Sequence, residues 1–406
     1  MLVQDVIARR MVAGANSPGE TAVVQVDRIY LQDGNSPTIA RLFKEHGFGK
    51  VFDPKRVGVF FDHSVIWPNA EIAGRIREAM AFCEEIGVRV FPPGDGISHV
   101  VAMEEGWFEP GSIVLGTDSH TCTGGANQAL ALGMGASDVV AAMITGETWL
   151  RVPETVRLEI VGTPSQMARP KDVMLHVLAT FGQDPFLYKS VEWCGEWAES
   201  LSDDGAATVA NMAVEMGAKC AFLPPHGSRR DHLRPIPSVP AAGGSYLRLD
   251  VSGLPPFVAR PHAPGNAHPI DACAGEPVNY VFIGSCTNSR LEDIAEAARV
   301  MDGRTVHPNV HMLVTPGSKS ILLEAMALGY IETLTRAGAI VTPPGCGSCL
   351  GTQGSVPARG DRVLTTMNRN FLGRMGNAEA DIFLASPIVA AHAALSGLIP
   401  FHSDLS

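Results

Sequence analysis

Three cysteines sit in two glycine-rich segments whose composition suits a metal centre. Gly284-Ser285-Cys286-Thr287-Asn288-Ser289-Arg290 follows a short apolar run and precedes a helical pattern. Small residues flank Cys286, so amides and hydroxyls can approach its sulfur, and a helix N-terminus favours the thiolate. Pro343-Pro344-Gly345-Cys346-Gly347-Ser348-Cys349-Leu350-Gly351 places two more sulfurs in a CxxC turn. Its glycines remove side chains that would crowd a bound metal. A structural zinc site wants four protein ligands. A CxxC with one distant Cys leaves a coordination position open, which suits a centre that binds substrate directly. The same residues also fit a redox or zinc CxxC beside an unrelated Cys286. A thioredoxin-like motif would stand early, in a βαβ unit; this one stands late, behind two prolines and a glycine.

Two further segments offer acid–base and anion-binding groups. Gly116-Thr117-Asp118-Ser119-His120-Thr121-Cys122-Thr123-Gly124-Gly125 puts an orienting carboxylate and an imidazole in one turn. Asn368-Arg369-Asn370-Phe371-Leu372-Gly373-Arg374 spaces two arginines around a glycine turn. Guanidinium binds carboxylate bidentately, so this reads as a carboxylate clamp.

The elements that must carry these groups alternate. Val57–Phe61, Ser112–Leu115, Val156–Ile160, Tyr280–Ile283 and Val310–Val314 are short apolar runs bounded by turn residues and read as buried strands. Ala70–Ile86, Ala126–Thr145, Pro170–Phe181, Asp204–Met216, Leu291–Val300 and Lys319–Leu328 read as helices. Such alternation predicts α/β architecture with mostly parallel sheets. Pro224–Pro277, rich in Pro, Gly, His and Arg, reads as a linker or inter-domain excursion. The N-terminus reads as a short helix followed by a turn at Asn16-Ser17-Pro18-Gly19.

Composition narrows the function classes. A chain of 406 residues points to two or three domains. A net charge of −11 and 6% aromatic residues argue against nucleic-acid binding. No apolar run reaches the roughly eighteen residues of a membrane span, and the N-terminus lacks a basic start before an apolar run. The expectation is a cytoplasmic enzyme. Of its eight cysteines, those outside the two segments read as small buried apolar residues rather than disulfide partners.

Taken together and in this order, the four motifs resemble the aconitase superfamily along nearly the whole chain. The resemblance implies that Cys286, Cys346 and Cys349 hold one [4Fe–4S] cluster with one iron open to substrate. It implies three aconitase-like α/β domains around that cluster: 1–154 with the Asp-His and GTDSHT motifs, 155–270 with Asn211 and Glu215, and 271–406 with the cysteines and arginine clamp. Further residues then match the family pattern: Gln32 as a substrate contact, Asp62-His63 after an early strand, and His99 as a second active-site histidine. Asn211 and Glu215 stand four apart and share one face of a helix. The implied acid–base set is His63, Asp62, Asp118, His120, His99 and Glu215. The implied substrate contacts are Gln32, Ser119, Asn211, Arg290, Asn368, Arg369 and Arg374.

Single-chain aconitases carry a swivelling fourth domain after the arginine motif, and this chain ends about thirty residues beyond it. It therefore resembles the large subunit of the split members, which act on 3-isopropylmalate, homoaconitate or 2,3-dimethylmalate, the first being the expected substrate. Arg290 and the run Gly373-Arg374-Met375-Gly376 also resemble that group. The missing domain, with the Ser that removes the substrate proton, is expected on a separate small subunit. The partners implied are that subunit and a small di- or tricarboxylate, with neither nucleic acid nor membrane. Some relatives bind RNA once the cluster is lost, but the acidic charge and missing domain argue against that role here. Three departures stand out: Ser348 replaces a usual Pro, Gln32 stands where isopropylmalate dehydratases show His, and Pro68 lies further from His63 than usual. The last two bear on substrate choice rather than on chemistry.

Overall fold

The computed structural model describes residues 1–238, 244–353 and 355–405. The chain divides into two compact units, each assembled from separated segments. One comprises Met1–Pro93, Ser98–Val161 and Gln183–Leu249; the other comprises Gly94–Ile97, Gly162–Gly182 and Asp250–Ser406.

The first unit is organised on a five-stranded parallel sheet. Its spatial order is Arg89–Phe91, Val57–Phe60, Arg28–Gln32, Ile113–Gly116 and Leu130–Gly133. Val57–Phe60 and Ile113–Gly116 are buried at every position. That is why they read as unbroken apolar runs, since parallel strands are covered on both faces. The helix Ala70–Ile86 buries Ile76, Ala79, Cys83 and Ile86, a stripe at helical spacing. Asn69 caps its start by accepting the Ile72 N–H, and Gly87 ends it in the left-handed region. A four-stranded sheet ordered Cys220–Phe222, Ser190–Cys194, Thr155–Val161 and Ser245–Asp250 completes most of the rest.

The second unit carries a seven-stranded sheet ordered Ala267–Pro269, Phe257–Ala259, Asp381–Leu384, Arg362–Thr365, Tyr280–Ile283, His311–Val314 and Ile340–Val341. The last five run parallel; Phe257–Ala259 is antiparallel to both of its neighbours.

Both parallel sheets reverse their order part-way across, the first between Arg28–Gln32 and Ile113–Gly116, the second between Tyr280–Ile283 and Arg362–Thr365. At such a switch point, the loops leaving the carboxyl ends of neighbouring strands diverge and open a crevice. Gln32, Asp62-His63 and Thr117-Asp118 leave the first sheet on that edge. Cys286, Thr315, Cys346 and Asn368-Arg369 leave the second the same way.

Several elements differ from their sequence reading. The expected helix Ala126–Thr145 is a 3-10 segment ending at Asn127, a strand Leu130–Gly133 and a helix Ala136–Thr145. A continuous apolar run cannot separate a buried strand from a buried helix by periodicity. Gln128, in the left-handed region at φ 56°, turns the chain between the first two pieces. The helix expected over Asp204–Met216 stops at Met212 and tightens into a 3-10 turn, Ala213–Met216. The stretch read as a linker, Pro224–Pro277, contributes strands to two sheets, and its residues 239–243 lie outside the described ones. The N-terminal helix Leu2–Arg10 is followed by a hairpin of Met11–Gly14 with Thr21–Gln25 around the expected turn.

Candidate active site

In the first unit, side chains from four sheet-edge loops form a continuous polar network. Asp62 is buried; its Oδ1 lies 2.7 Å from His63 Nδ1, and its Oδ2 accepts the Ser98 N–H at 2.7 Å. Asp33 Oδ1 accepts the His63 backbone N–H at 3.1 Å and lies 3.4 Å from the same ring nitrogen. Burial opposes charge on His63, but Asp62 and Asp33 outweigh it and hold the imidazole well above its ordinary range. Burial likewise raises the Asp62 carboxyl, and His63 with the Ser98 N–H turns the net shift downward. His63 keeps 18% of its side-chain exposure, so this charged ring can reach a ligand.

Gln32 is tied into the same network, donating to Ser98 Oγ at 3.0 Å and accepting from Thr117 Oγ1. Asp118 receives the backbone N–H of His120 at 2.7 Å and faces His120 Nδ1 and His99 Nε2, each at 3.2 Å. Burial would raise the Asp118 carboxyl; His120 and His99 reverse that and hold it well below the usual range. On its far side, His120 Nε2 lies 2.9 Å from Glu215 Oε1. Asn211 donates to Thr123 Oγ1 at 2.9 Å. Asn211 and Glu215 thus address one target, the Ser119–Asn127 segment, although the helix ends between them. Gly125 lets the strand Cys220–Phe222 approach the same segment, because a Cβ there would stand 2.0 Å from the Ala221 carbonyl oxygen. Ser119 is exposed, with its hydroxyl 3.5 Å from His120 Nδ1.

In the second unit, the loops gather the cysteines and the arginine motif. Ser285 adopts φ 77°, a left-handed conformation that is costly for a non-glycine residue. Its hydroxyl donates towards the sulfurs of both Cys286 (4.0 Å) and Cys349 (3.8 Å), so these two thiols share one neighbour. Cys346 is joined to Cys349 through the turn, whose N–H at Cys349 donates to the Cys346 carbonyl at 3.3 Å. Ser348 keeps this turn intact, its hydroxyl 3.2 Å from that of Tyr280. Asn368 Nδ2 donates to Cys286 Sγ at 3.4 Å, and Arg374 Nη2 to Cys349 Sγ at 3.3 Å. Arg290 is buried and directed back to its own loop, Nη1 donating to the Thr287 carbonyl at 3.0 Å. Arg369 is half-buried beside Asn368.

The donor set fits an iron–sulfur cluster. Amide, hydroxyl and guanidinium groups aim at the sulfurs, as thiolate ligands require. The cradle has no room for a side chain at Gly347 or Gly351: a Cβ on Gly347 would stand 2.6 Å from Thr315 Oγ1, and one on Gly351 2.6 Å from the Met375 carbonyl oxygen. Cys83, Cys194 and Cys220 differ; burial pushes their thiols up to about 12, 11 and 12. They are packing residues.

Residues 4–248 and 244–397 match the aconitase family (aconitate hydratase). The chain belongs to the aconitase family. Membership implies an iron–sulfur cluster and a hydro-lyase chemistry. Relatives similar over nearly the full length include the probable homoaconitase large subunit of Methanothermobacter thermautotrophicus, 41% identical over 94% of this chain and 93% of that one. The 3-isopropylmalate dehydratase large subunit 1 of Methanopyrus kandleri is 39% identical over 94% of each chain. Among solved structures, the holo-form of Thermococcus kodakaraensis aconitase X overlays with a TM-score of 0.53 at 14% identity, covering 86% of this chain and 84% of that one, a likeness of fold. Among the described residues, no helix is long and apolar enough to cross a membrane.

Sequence reasoning assigns no role to Tyr30, Ser98, Asp33 or Lys171. The Tyr30 hydroxyl lies 2.7 Å from His99 Nδ1. Lys171 is fully buried near the start of the helix Pro170–Phe181, and its ammonium donates to the carbonyls of Thr366 and Met367, directly before Asn368. Thr366 in turn receives the Gly284 N–H on its hydroxyl at 2.9 Å, two residues before Cys286. Lys171 stands beside Arg169 and Asp172 in a charged helix start, and nothing local marks it out.

Proposed function

We propose that this chain is the large subunit of a cytoplasmic [4Fe–4S] hydro-lyase that reversibly dehydrates a malate-type hydroxy acid, with 3-isopropylmalate as its substrate. The observation that supports it best is His63: a partly exposed imidazole held charged by Asp62 and Asp33. A charged imidazole donates the proton that turns a departing hydroxyl into water. Relatives named as 3-isopropylmalate dehydratase large subunits, similar over nearly the whole chain, support the substrate assignment.

The cluster would be held, one per chain, by Cys286, Cys346 and Cys349. When bound, its open iron supplies Lewis acidity towards the substrate hydroxyl and an adjacent carboxylate. Arg369 and Arg374 bind carboxylate and offset the charge that develops as the C–H bond breaks. Gln32, Ser119, Asn211, Arg290 and Asn368 position the substrate or the loops that meet it. Asp118 orients His99 and His120, and Glu215 completes the orientation of His120. The division into domains 1–154, 155–270 and 271–406 belongs to the same proposal.

The group that removes the substrate proton is assigned to a separate small subunit, a serine on a swivelling domain. The relatives cited are named as large subunits, which supports a partner of that kind. A second substrate reading, homoaconitate, is favoured by the methanogen relative at 41% identity. Both are tested by reconstituting the cluster anaerobically, adding the candidate small subunit and assaying a panel of malate analogues. Turnover of 3-isopropylmalate with little on homoaconitate supports the main reading. The reverse preference replaces it with the second, and activity of the chain alone contradicts the two-subunit assignment.

A further inference from the structure

Tyr30 lies inside the central strand Arg28–Gln32 and is fully buried. Its ring packs edge-on against Phe60 and Phe108, with centroids 5.6 and 6.0 Å away. Its hydroxyl is 2.7 Å from His99 Nδ1, while His99 Nε2 is 3.2 Å from Asp118 Oδ1. Asp118 is a carboxylate and can only accept, so the ring nitrogen facing it must carry hydrogen. A neutral His99 with hydrogen on Nε2 presents a bare lone pair at Nδ1, and only a donor satisfies it. Burial raises the Tyr30 phenol well above its ordinary value and outweighs its hydrogen bond with Thr121, so it keeps its proton.

We propose that Tyr30 is a positioning residue whose hydroxyl donates to Nδ1 of His99 and holds that ring as the neutral Nε2–H tautomer donating to Asp118. The tautomer has a consequence for the rest of the network. His120 Nδ1 also faces Asp118, and its Nε2 faces Glu215 at 2.9 Å. With His99 donating to Asp118 through Nε2, His120 is the ring that meets carboxyl groups on both of its nitrogens. Without the phenol, His99 Nδ1 becomes free to bind a proton, and two rings compete for it.

The tautomer is an attribute of this chain alone; only its effect on turnover rests on the hydro-lyase reading. The test uses histidine labelled with nitrogen-15 in the full chain, with long-range proton–nitrogen correlation spectra assigned by comparison with His99→Gln. The wild type is expected to show His99 protonated on Nε2 and bare on Nδ1. Tyr30→Phe keeps the ring packing and the fold, lowers the melting temperature by a few degrees because a buried nitrogen loses its donor, and is expected to convert His99 to a mixture that includes Nδ1–H. In the reconstituted two-subunit enzyme, Tyr30→Phe should lower kcat about tenfold, the scale of one hydrogen bond, with KM unchanged. Protonation of His99 on Nδ1 in the wild type, or an unchanged His99 signal in Tyr30→Phe, overturns the proposal. A changed tautomer with unchanged kcat overturns the positioning role. Inactivity of the wild-type complex on every hydroxy acid, with the expected spectrum, contradicts the hydro-lyase reading and leaves the tautomer assignment supported.

Discussion

Asp62 grips the ring of its own sequence neighbour: its Oδ1 lies 2.7 Å from His63 Nδ1. Adjacent residues in an extended strand point to opposite faces. This pair converges because the chain turns immediately after the strand Val57–Phe60. Asp33, at the end of the neighbouring strand, adds a second carboxylate at 3.4 Å. The ring is thereby kept protonated and aimed.

Asp62→Asn should remove the stronger of these two partners. The His63 pKa is raised, so its proton is fully present below the unfolded value and lost as pH rises through the folded one. Its stabilising effect follows the same course. Asp62 has the opposite sign: its contribution is present above the unfolded value and fades as pH falls. The variant should lose about 10²-fold or more in kcat, and its alkaline limb should move to lower pH. A pH profile of kcat/KM measures both; a limb that stays in place would count against His63 as the acid.

Cysteine variants should separate cluster ligands from packing residues. Cys286→Ala and Cys349→Ala are expected to lose bound iron and the associated visible absorbance. Cys83→Ala removes a fully buried thiol. It should keep the iron and cost only about 1 kcal/mol, as a small core truncation does. Iron analysis and thermal melts of the same preparations read the two effects.

Lys171→Met should disturb the substrate loops from below. It removes a buried ammonium that holds the carbonyls of Thr366 and Met367. Hydrogen bonds to a charged group are worth about 1.5–3 kcal/mol, so a loss of that order is expected in urea unfolding. The displaced Asn368-Arg369 segment should raise KM more than it lowers kcat. An unaltered KM would show that Lys171 serves stability alone.

Gly347→Ala tests the cradle. Its φ is +58°, and a Cβ would stand 2.6 Å from Thr315 Oγ1. Gly87 has φ +70° with nothing near its Cβ position, so Gly87→Ala carries the conformational cost alone, roughly 1–2 kcal/mol. Gly347→Ala should cost more than that and lose iron; Gly87→Ala should keep it.

Much of this was legible in the sequence. The glycine-flanked cysteines, the Asp-His pair and the arginine motif are local signals, and buried parallel strands betray themselves as β-branched runs. Residues 126–145 read as one helix because a strand and a helix stand end to end in one apolar stretch. Among its described residues, Pro224–Pro277 holds three short strands that its composition conceals, since Ala259 pairs with Leu384, far along the chain. Tyr30 and Lys171 are invisible for the same reason. A tyrosine in a strand and a lysine at a helix start are ordinary until tertiary structure brings His99 and Thr366 against them.

Cys286, Cys346 and Cys349 are proposed to hold one cluster in a hydro-lyase half-site. The most direct test is iron and sulfide analysis of anaerobically purified chain, with Cys286→Ala in parallel. Roughly four of each per chain are expected in the wild type, the content of a [4Fe–4S] centre, with loss of both in the variant. Stoichiometric zinc in the wild type, or iron and sulfide retained without Cys286, would contradict it.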